Sequence, residues 1–398
     1  MIRVLRVCGV AALGLGLAAC KFPELPPLDE TDAANGDDGG GTDAATDATI
    51  CEGDRYGFTI SNVAHCDVPA AATALDLTNV ASIDTFSGTM TSVGGSTAPL
   101  PGTALVPQAD GNMIRVVSAT SLMVPAAASI TLRGENPIAF LVRGDAIVDG
   151  TLRLTGGVLQ ASGPAGTRGT CTTGGSGTGG TGAGLGGGGG GGALGTAGGS
   201  GGYGSNDTTN AGQPGVPLAA ASRSPLAGGC AGSPGNAGVT PGAGGGAIQI
   251  TAMGSIVIDG TVTAGGGGAS GGGNTAGGGG GGSGGMVLLE AGTEVRGGGY
   301  LTANGGGGGG GGGAGGNATA GAAGCAQCAT PAFGGSASGS GAGFGGNGAA
   351  GGTGAMPGIN SSAYAGGGGG GGVGVIWLRS SSVNFSGLVS PTARTSTL

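Results

Sequence analysis

Few residues in this chain carry the chemistry to act on a substrate, and those few are far apart. His65 is the only histidine, one residue before Cys66. A serine nucleophile needs an imidazole base presented to it across the fold. Nothing beyond residue 65 supplies one, so His65 reads as a surface residue rather than a base or a metal ligand. Asp149 and Asp259 are the other candidates, since each is followed by Gly-Thr in two otherwise similar segments. If those segments are neighbours, the carboxylates stack, and like charges that close either raise a pKa or recruit a cation. Asp-Gly is also an ordinary turn dipeptide, and a turn role is the expectation here. No G-x-x-x-x-G-K-[ST] loop occurs, and a match to G-x-G-x-x-G means nothing in a chain with 108 glycines. The expectation is a protein that is not an enzyme, with no catalytic residue, no metal site and no cofactor.

Composition limits the elements that position these residues. Of 398 residues 108 are Gly, while aromatics make up 3% and charged residues 9%, which argues against one large packed core. Collagen is excluded because the Gly-X-Y period is absent and only 18 prolines are present. The balance of 13 Lys+Arg against 21 Asp+Glu gives a net charge of −8 with no basic stripe, so nucleic acid is not an expected partner.

The N-terminus reads as an address. Arg3 and Arg6 precede an apolar stretch over residues 7–17, closed by Leu17-Ala18-Ala19-Cys20. Such a stretch is too short for a membrane span and has the layout of an export signal. The last four residues resemble the lipobox of bacterial lipoproteins. That resemblance implies removal of residues 1–19, a thioether-linked diacylglycerol on Cys20 and acylation of the new amino terminus. With Lys21 after the cysteine, it implies anchoring in the outer membrane, on its periplasmic or its cell-surface face. Several acyl chains, at about 0.8 kcal/mol per buried CH₂, make a stable anchor. Residues 20–50, rich in Asp, Gly, Ala and Thr after an opening Pro cluster, then form an acidic flexible tether.

With Cys8 lost and Cys20 lipidated, six cysteines remain: Cys51, Cys66, Cys171, Cys230, Cys325 and Cys328. Proximity in sequence suggests the pairs Cys51–Cys66, Cys171–Cys230 and Cys325–Cys328, although six cysteines allow fifteen pairings. A redox or zinc role for Cys325 and Cys328 is the alternative. It lacks the helix start or the second ligand pair that such sites use.

Residues 51–137 are expected to form an N-terminal β cap and first coils, and 138–398 a glycine-rich β-repeat domain, because short β-branched runs alternate with turn residues. The repeat is imperfect. "AFLVRGDAIVDGTLRL" from Ala139 aligns with "QITAMGSIVIDGTVTA" from Gln249. "LLEAGTEVRGG" from Leu288 follows with a one-residue insertion, and "WLRSSSVNFSGLV" from Trp377 is a fourth copy. One such unit cannot bury its apolar face, whereas stacked copies can. Phe140, Ile250, Leu288 and Trp377 are expected to form one inward column and Val148, Ile258 and Phe385 another. The fold expected is all-β, a right-handed parallel β-solenoid with long glycine-rich insertions; a β-sandwich with disordered loops is the alternative. The runs at 186–192, 277–282, 305–313 and 366–372 read either as flexible loops or as extended three-fold helices packed side by side, in the manner of polyglycine II.

In style the whole chain resembles the glycine-rich lipoproteins of predatory and social Gram-negative bacteria such as myxobacteria, a resemblance that brings no activity with it. The function expected is a lipid-anchored envelope protein with a structural or adhesive role. Its partners would be the membrane, through the anchor, and cell-surface polysaccharide or envelope proteins. The alternative is a polysaccharide-binding or polysaccharide-degrading β-solenoid using Asp149, Asp259 and Asp145, as solenoid lyases and hydrolases use acidic clusters on a coil face.

Overall fold

Short apolar, β-branched runs punctuated by Gly, Asn and Asp form strands along the chain. The computed structural model describes residues 51–71, 73–156, 163, 180, 185–205, 207–218 and 223–398. Residues 1–50, where the lipobox with Cys20 and the tether are expected, and Cys171 lie outside the described residues. The first strands are β1 (Leu75–Asp76), β2 (Val80–Asp84), β3 (Thr89–Ser92), β4 (Thr97–Pro99) and β5 (Thr103–Pro107). Five triplets follow: β6 (Met113–Ala119), β7 (Leu122–Val124) and β8 (Ser129–Arg133); β9 (Ile138–Val142), β10 (Ala146–Val148) and β11 (Thr151–Arg153); β12 (Ala247–Ala252), β13 (Ile256–Ile258) and β14 (Thr261–Thr263); β15 (Met286–Ala291), β16 (Val295–Gly297) and β17 (Tyr300–Thr302); β18 (Val375–Ser380), β19 (Val383–Phe385) and β20 (Leu388–Ser390). The last strand is β21 (Arg394–Ser396).

The strands form three sheets, ordered β1-β7-β10-β13-β16-β19, β20-β17-β14-β11-β8-β2-β3-β4 and β21-β18-β15-β12-β9-β6-β5. Each triplet gives one strand to each sheet. Pairing is parallel except between β2 and β3, β3 and β4, and β5 and β6. Phe140, Ile250, Leu289 and Leu378 from one sheet, Val148, Ile258 and Val295 from another, and Leu152, Val262 and Leu301 from the third belong to one buried cluster. Burying these side chains, at roughly 25 cal/mol per Å² of apolar surface, is what holds the three sheets together.

The expected columns need correction. Ile250 pairs with Phe140 and with Leu289, and Leu289 with Leu378, so the inward column is Phe140, Ile250, Leu289 and Leu378. Leu288 and Trp377 are in register with Gln249 and Ala139, on the opposite face. Alternate residues of a strand point to opposite faces, so an error of one residue exchanges them. The copy from Leu288 also carries no insertion: Leu288 pairs with Gln249 and Tyr300 with Thr261, an offset of 39 at both ends. Val148, Ile258 and Phe385 do share a column, with Gly297 between the last two.

The outer face of the β9, β12, β15 and β18 sheet is covered too. Tyr56, Ile60, Val63 and Val68 from the N-terminal segment, with Leu194 and Leu226, pack against Ala139, Leu141, Leu288 and Val375. This segment is closed by the Cys51–Cys66 disulfide.

The glycine runs are hydrogen-bonded to one another by a main-chain lattice. Every amide from Gly277 to Gly285 donates a hydrogen bond. Gly278, Gly281 and Gly284 donate to Gly366, Gly369 and Gly372; Gly279, Gly282 and Gly285 to Ser270, Gly267 and Ala264; Gly280 and Ser283 to Ser233 and Cys230. The same segment accepts from Gly189 and Gly192, from Gly306 and Gly309, and from Gly242 and Gly245. It therefore has six bonded neighbours, three receiving and three giving, and each set recurs every third residue, the period of an extended three-fold helix. Segments 305–313 and 365–372 are surrounded in the same way. Only glycine permits this approach: a Cβ on Gly368 would lie 1.8 Å from the Gly279 carbonyl oxygen.

Candidate functional site

Asp145 and Asp149 flank β10, and Asp259 directly follows β13. β10 and β13 pair in register, so Asp149 and Asp259 follow neighbouring strands and stand on adjacent turns. Asp149 is half-buried and Asp259 exposed. Asp259 Oδ1 accepts from the Gly298 amide at 2.9 Å, and Asp145 Oδ1 from the Ser255 amide at 2.7 Å. Each of these two carboxylates thus caps a backbone N–H of the next copy. Behind them the turn glycines stack closely: a Cβ on Gly260, Gly299 or Gly387 would fall within 2.1 Å of the carbonyl of the preceding turn. The position opposite Asp259 is Gly298, one residue beyond the Gly297 that a one-residue insertion would place there. Among the described residues no group of three or more His, Cys, Asp or Glu side chains is placed to hold a metal ion.

His65 accompanies Asp54, its Nδ1 lying 2.8 Å from Asp54 Oδ1. That hydrogen bond, helped by the Cys51 amide, holds the exposed Asp54 carboxyl below its usual range. Cys325 is joined to Cys328, and their carbonyls accept from Asn304 Nδ2. Cys230 is disulfide-bonded, and Cys171, its expected partner, lies outside the described residues. Trp377 is half-buried rather than part of the inward column, and the Arg394 guanidinium sits 5.6 Å from its ring centroid. A cleft of about 340 Å³ near the first strands is lined by Asp76, Thr78, Asn79, Met90, Ser92 and Ser96. Asp76 is the one acidic residue of this lining, and its Oδ1 accepts from the amide and hydroxyl of Thr78.

The densest polar cluster is one the sequence reading did not single out. Glu290 is fully buried on the outer face of β15 and Arg379 nearly so on β18. Glu290 Oε1 accepts from Arg379 Nη1 at 2.9 Å and from Ser61 Oγ at 2.6 Å. Glu290 Oε2 accepts from Thr251 Oγ1, Gln249 Nε2 and the Ser61 amide. Arg379 Nη1 also donates to the Thr59 carbonyl. Five donors satisfy the carboxylate, and the two residues from the N-terminal segment tie that segment to the sheet. A signal was present: the aligned repeats put Thr251, Glu290 and Arg379 at one position, with opposite charges in adjacent copies. Its chemistry is structural, because a buried carboxylate with both oxygens engaged by protein donors offers no free lone pair to a substrate.

No family model, curated protein or solved structure matches this chain.

Proposed function

We propose that this chain is a lipid-anchored cell-envelope protein with a structural or adhesive, non-catalytic role, held in the outer membrane through Cys20. On this reading the three-sheet part is a right-handed β-solenoid and the glycine segments form a polyglycine-II-like bundle beside it. The reading rests on the lattice itself: a block of main chain in which a central segment is bonded to six others makes a stiff body without relying on large side chains. A stiff body on a long acidic tether suits a part that holds surfaces apart or together. The aspartates at the coil edge support it as well, since Asp145 and Asp259 are engaged in holding turns.

The test is genetic. A strain lacking the protein should lose surface attachment, cell-to-cell cohesion or envelope integrity, and the full chain should restore it while the Cys20→Ala chain does not. Unchanged behaviour in all three assays would overturn the proposal. Loss of glycan binding or turnover on replacing Asp149 and Asp259 together by Asn would instead favour the polysaccharide reading.

A further inference from the structure

One side of the glycine lattice ends in an outer row of three segments, 332–338, 343–349 and 356–360. Gly345 and Gly348 donate to Gly335 and Ala332, while Met356 and Ile359 donate to Asn347 and Phe344, so neighbours in this row run antiparallel. Toward the interior the row is fixed by Gly335 to Gly308, Gly346 to Gly368, and Gly367 to Ile359. The antiparallel pairing brings Phe333, Asn347 and Met356 to one level and Ser336, Phe344 and Ile359 to the next. On an extended three-fold helix, residues three apart return to the same side. Apolar side chains fill four of these six positions, with Phe333 75% exposed, Phe344 55%, Met356 50% and Ile359 54%.

Charge narrows the choice of what covers them. From Gly297 to Leu378 the sequence contains no Asp, Glu, Lys, Arg or His, although the chain as a whole carries −8. Copies of an acidic chain repel one another over most of their surfaces. This face is one on which two copies meet without opposing carboxylates. It also lacks the Lys or Arg that would draw it to lipid phosphates or nucleic acid. The hydrogen-bonded lattice behind it holds the backbone in place beforehand, so little main-chain freedom is lost on association. We propose that this face pairs with the same face of a second copy of the chain. The contact is isologous, and a two-fold axis along segment 343–349 sets Phe344 against its own counterpart and Phe333 against Met356. The pairing goes beyond the envelope role and does not require the anchor.

Sedimentation velocity over a wide concentration range tests this, on the full chain in detergent and on its Cys20→Ala form, so that pairing and anchoring are read separately. Both forms should dimerise. Phe333→Ser with Phe344→Ser should raise the dimer Kd at least tenfold, about 1.4 kcal/mol. Met356→Ser should act in the same direction, and Phe86→Ser, at an exposed site in the turn between β2 and β3, should change nothing. Amide protection across 277–285 confirms that each variant is folded. Monomers at every concentration overturn the proposal. So does a dimer indifferent to Phe333 and Phe344, or a monomer that uses them to bind phosphatidylethanolamine and phosphatidylglycerol vesicles.

Discussion

Replacing Gly368 by Ala tests whether the main-chain lattice is what orders the glycine runs. Its Cβ would lie 1.8 Å from the Gly279 carbonyl oxygen, whereas ordinary contact begins at 3.4 Å. Segments 277–285 and 365–372 must then separate by more than an ångström. The bonds from Gly278 to Gly366 (3.1 Å) and from Gly281 to Gly369 (2.8 Å) do not survive such a shift. Two buried N–H donors lose their acceptors, and at roughly 1–3 kcal/mol for each stranded donor the cost is about 2–6 kcal/mol. Gly352→Ala is the control, since nothing lies within 4 Å of its Cβ, and its effect should stay within about 0.5 kcal/mol. Denaturant unfolding gives the energies, and native-state hydrogen exchange at Gly278 and Gly281 gives the location. Equal stability of the two variants, with protection kept at both amides, would refute the reasoning.

Other perturbations reach the rest of the molecule. Glu290→Ala strands the buried Arg379 charge and should cost roughly 3–5 kcal/mol in denaturant unfolding, with part of the loss regained in the Glu290→Ala, Arg379→Met double variant. Replacing Cys51 and Cys66 together by Ser opens a loop of separation 15 and should lower stability by about 3 kcal/mol, read as a drop in Tm that added reductant no longer increases at this site. Asp54 should titrate below its ordinary 3.8 in a carboxyl NMR experiment, and His65→Ala should move it back up. Because the folded value is the lower one, the contact helps above the unfolded pKa and is lost as pH falls through the folded value.

The alternation of short strands, the existence of the repeats and the gapless alignment of the copies from Ala139 and Gln249 were legible because apolar runs and Gly turns recur at fixed spacing. The face of each strand was not. Leu288-Leu289 and Trp377-Leu378 are consecutive large apolar residues, and β15 is buried along its whole length because the 51–68 segment covers the face opposite the core. A strand covered on both sides loses the alternation that distinguishes inside from outside. The Glu290 cluster escaped for a related reason: two of its six residues, Ser61 and Thr59, come from more than two hundred residues earlier than Glu290. The order of the glycine runs is the least local property of all. Composition offers no side chain to drive it, and the partners of Gly277 to Gly285 include residues on both sides of it in the chain, from Gly189 to Gly372.

That dispersal constrains when the lattice can form. The central segment needs Gly366, Gly369 and Gly372, which emerge from the ribosome nearly ninety residues after it, so its amides have no native acceptors on that side until those residues have been made. Contacts this distant form late and slowly. A chain crossing a membrane unfolded would arrive with its glycine segments still loose, and would stiffen only after the last repeat, β18 to β20, had locked the earlier ones into line.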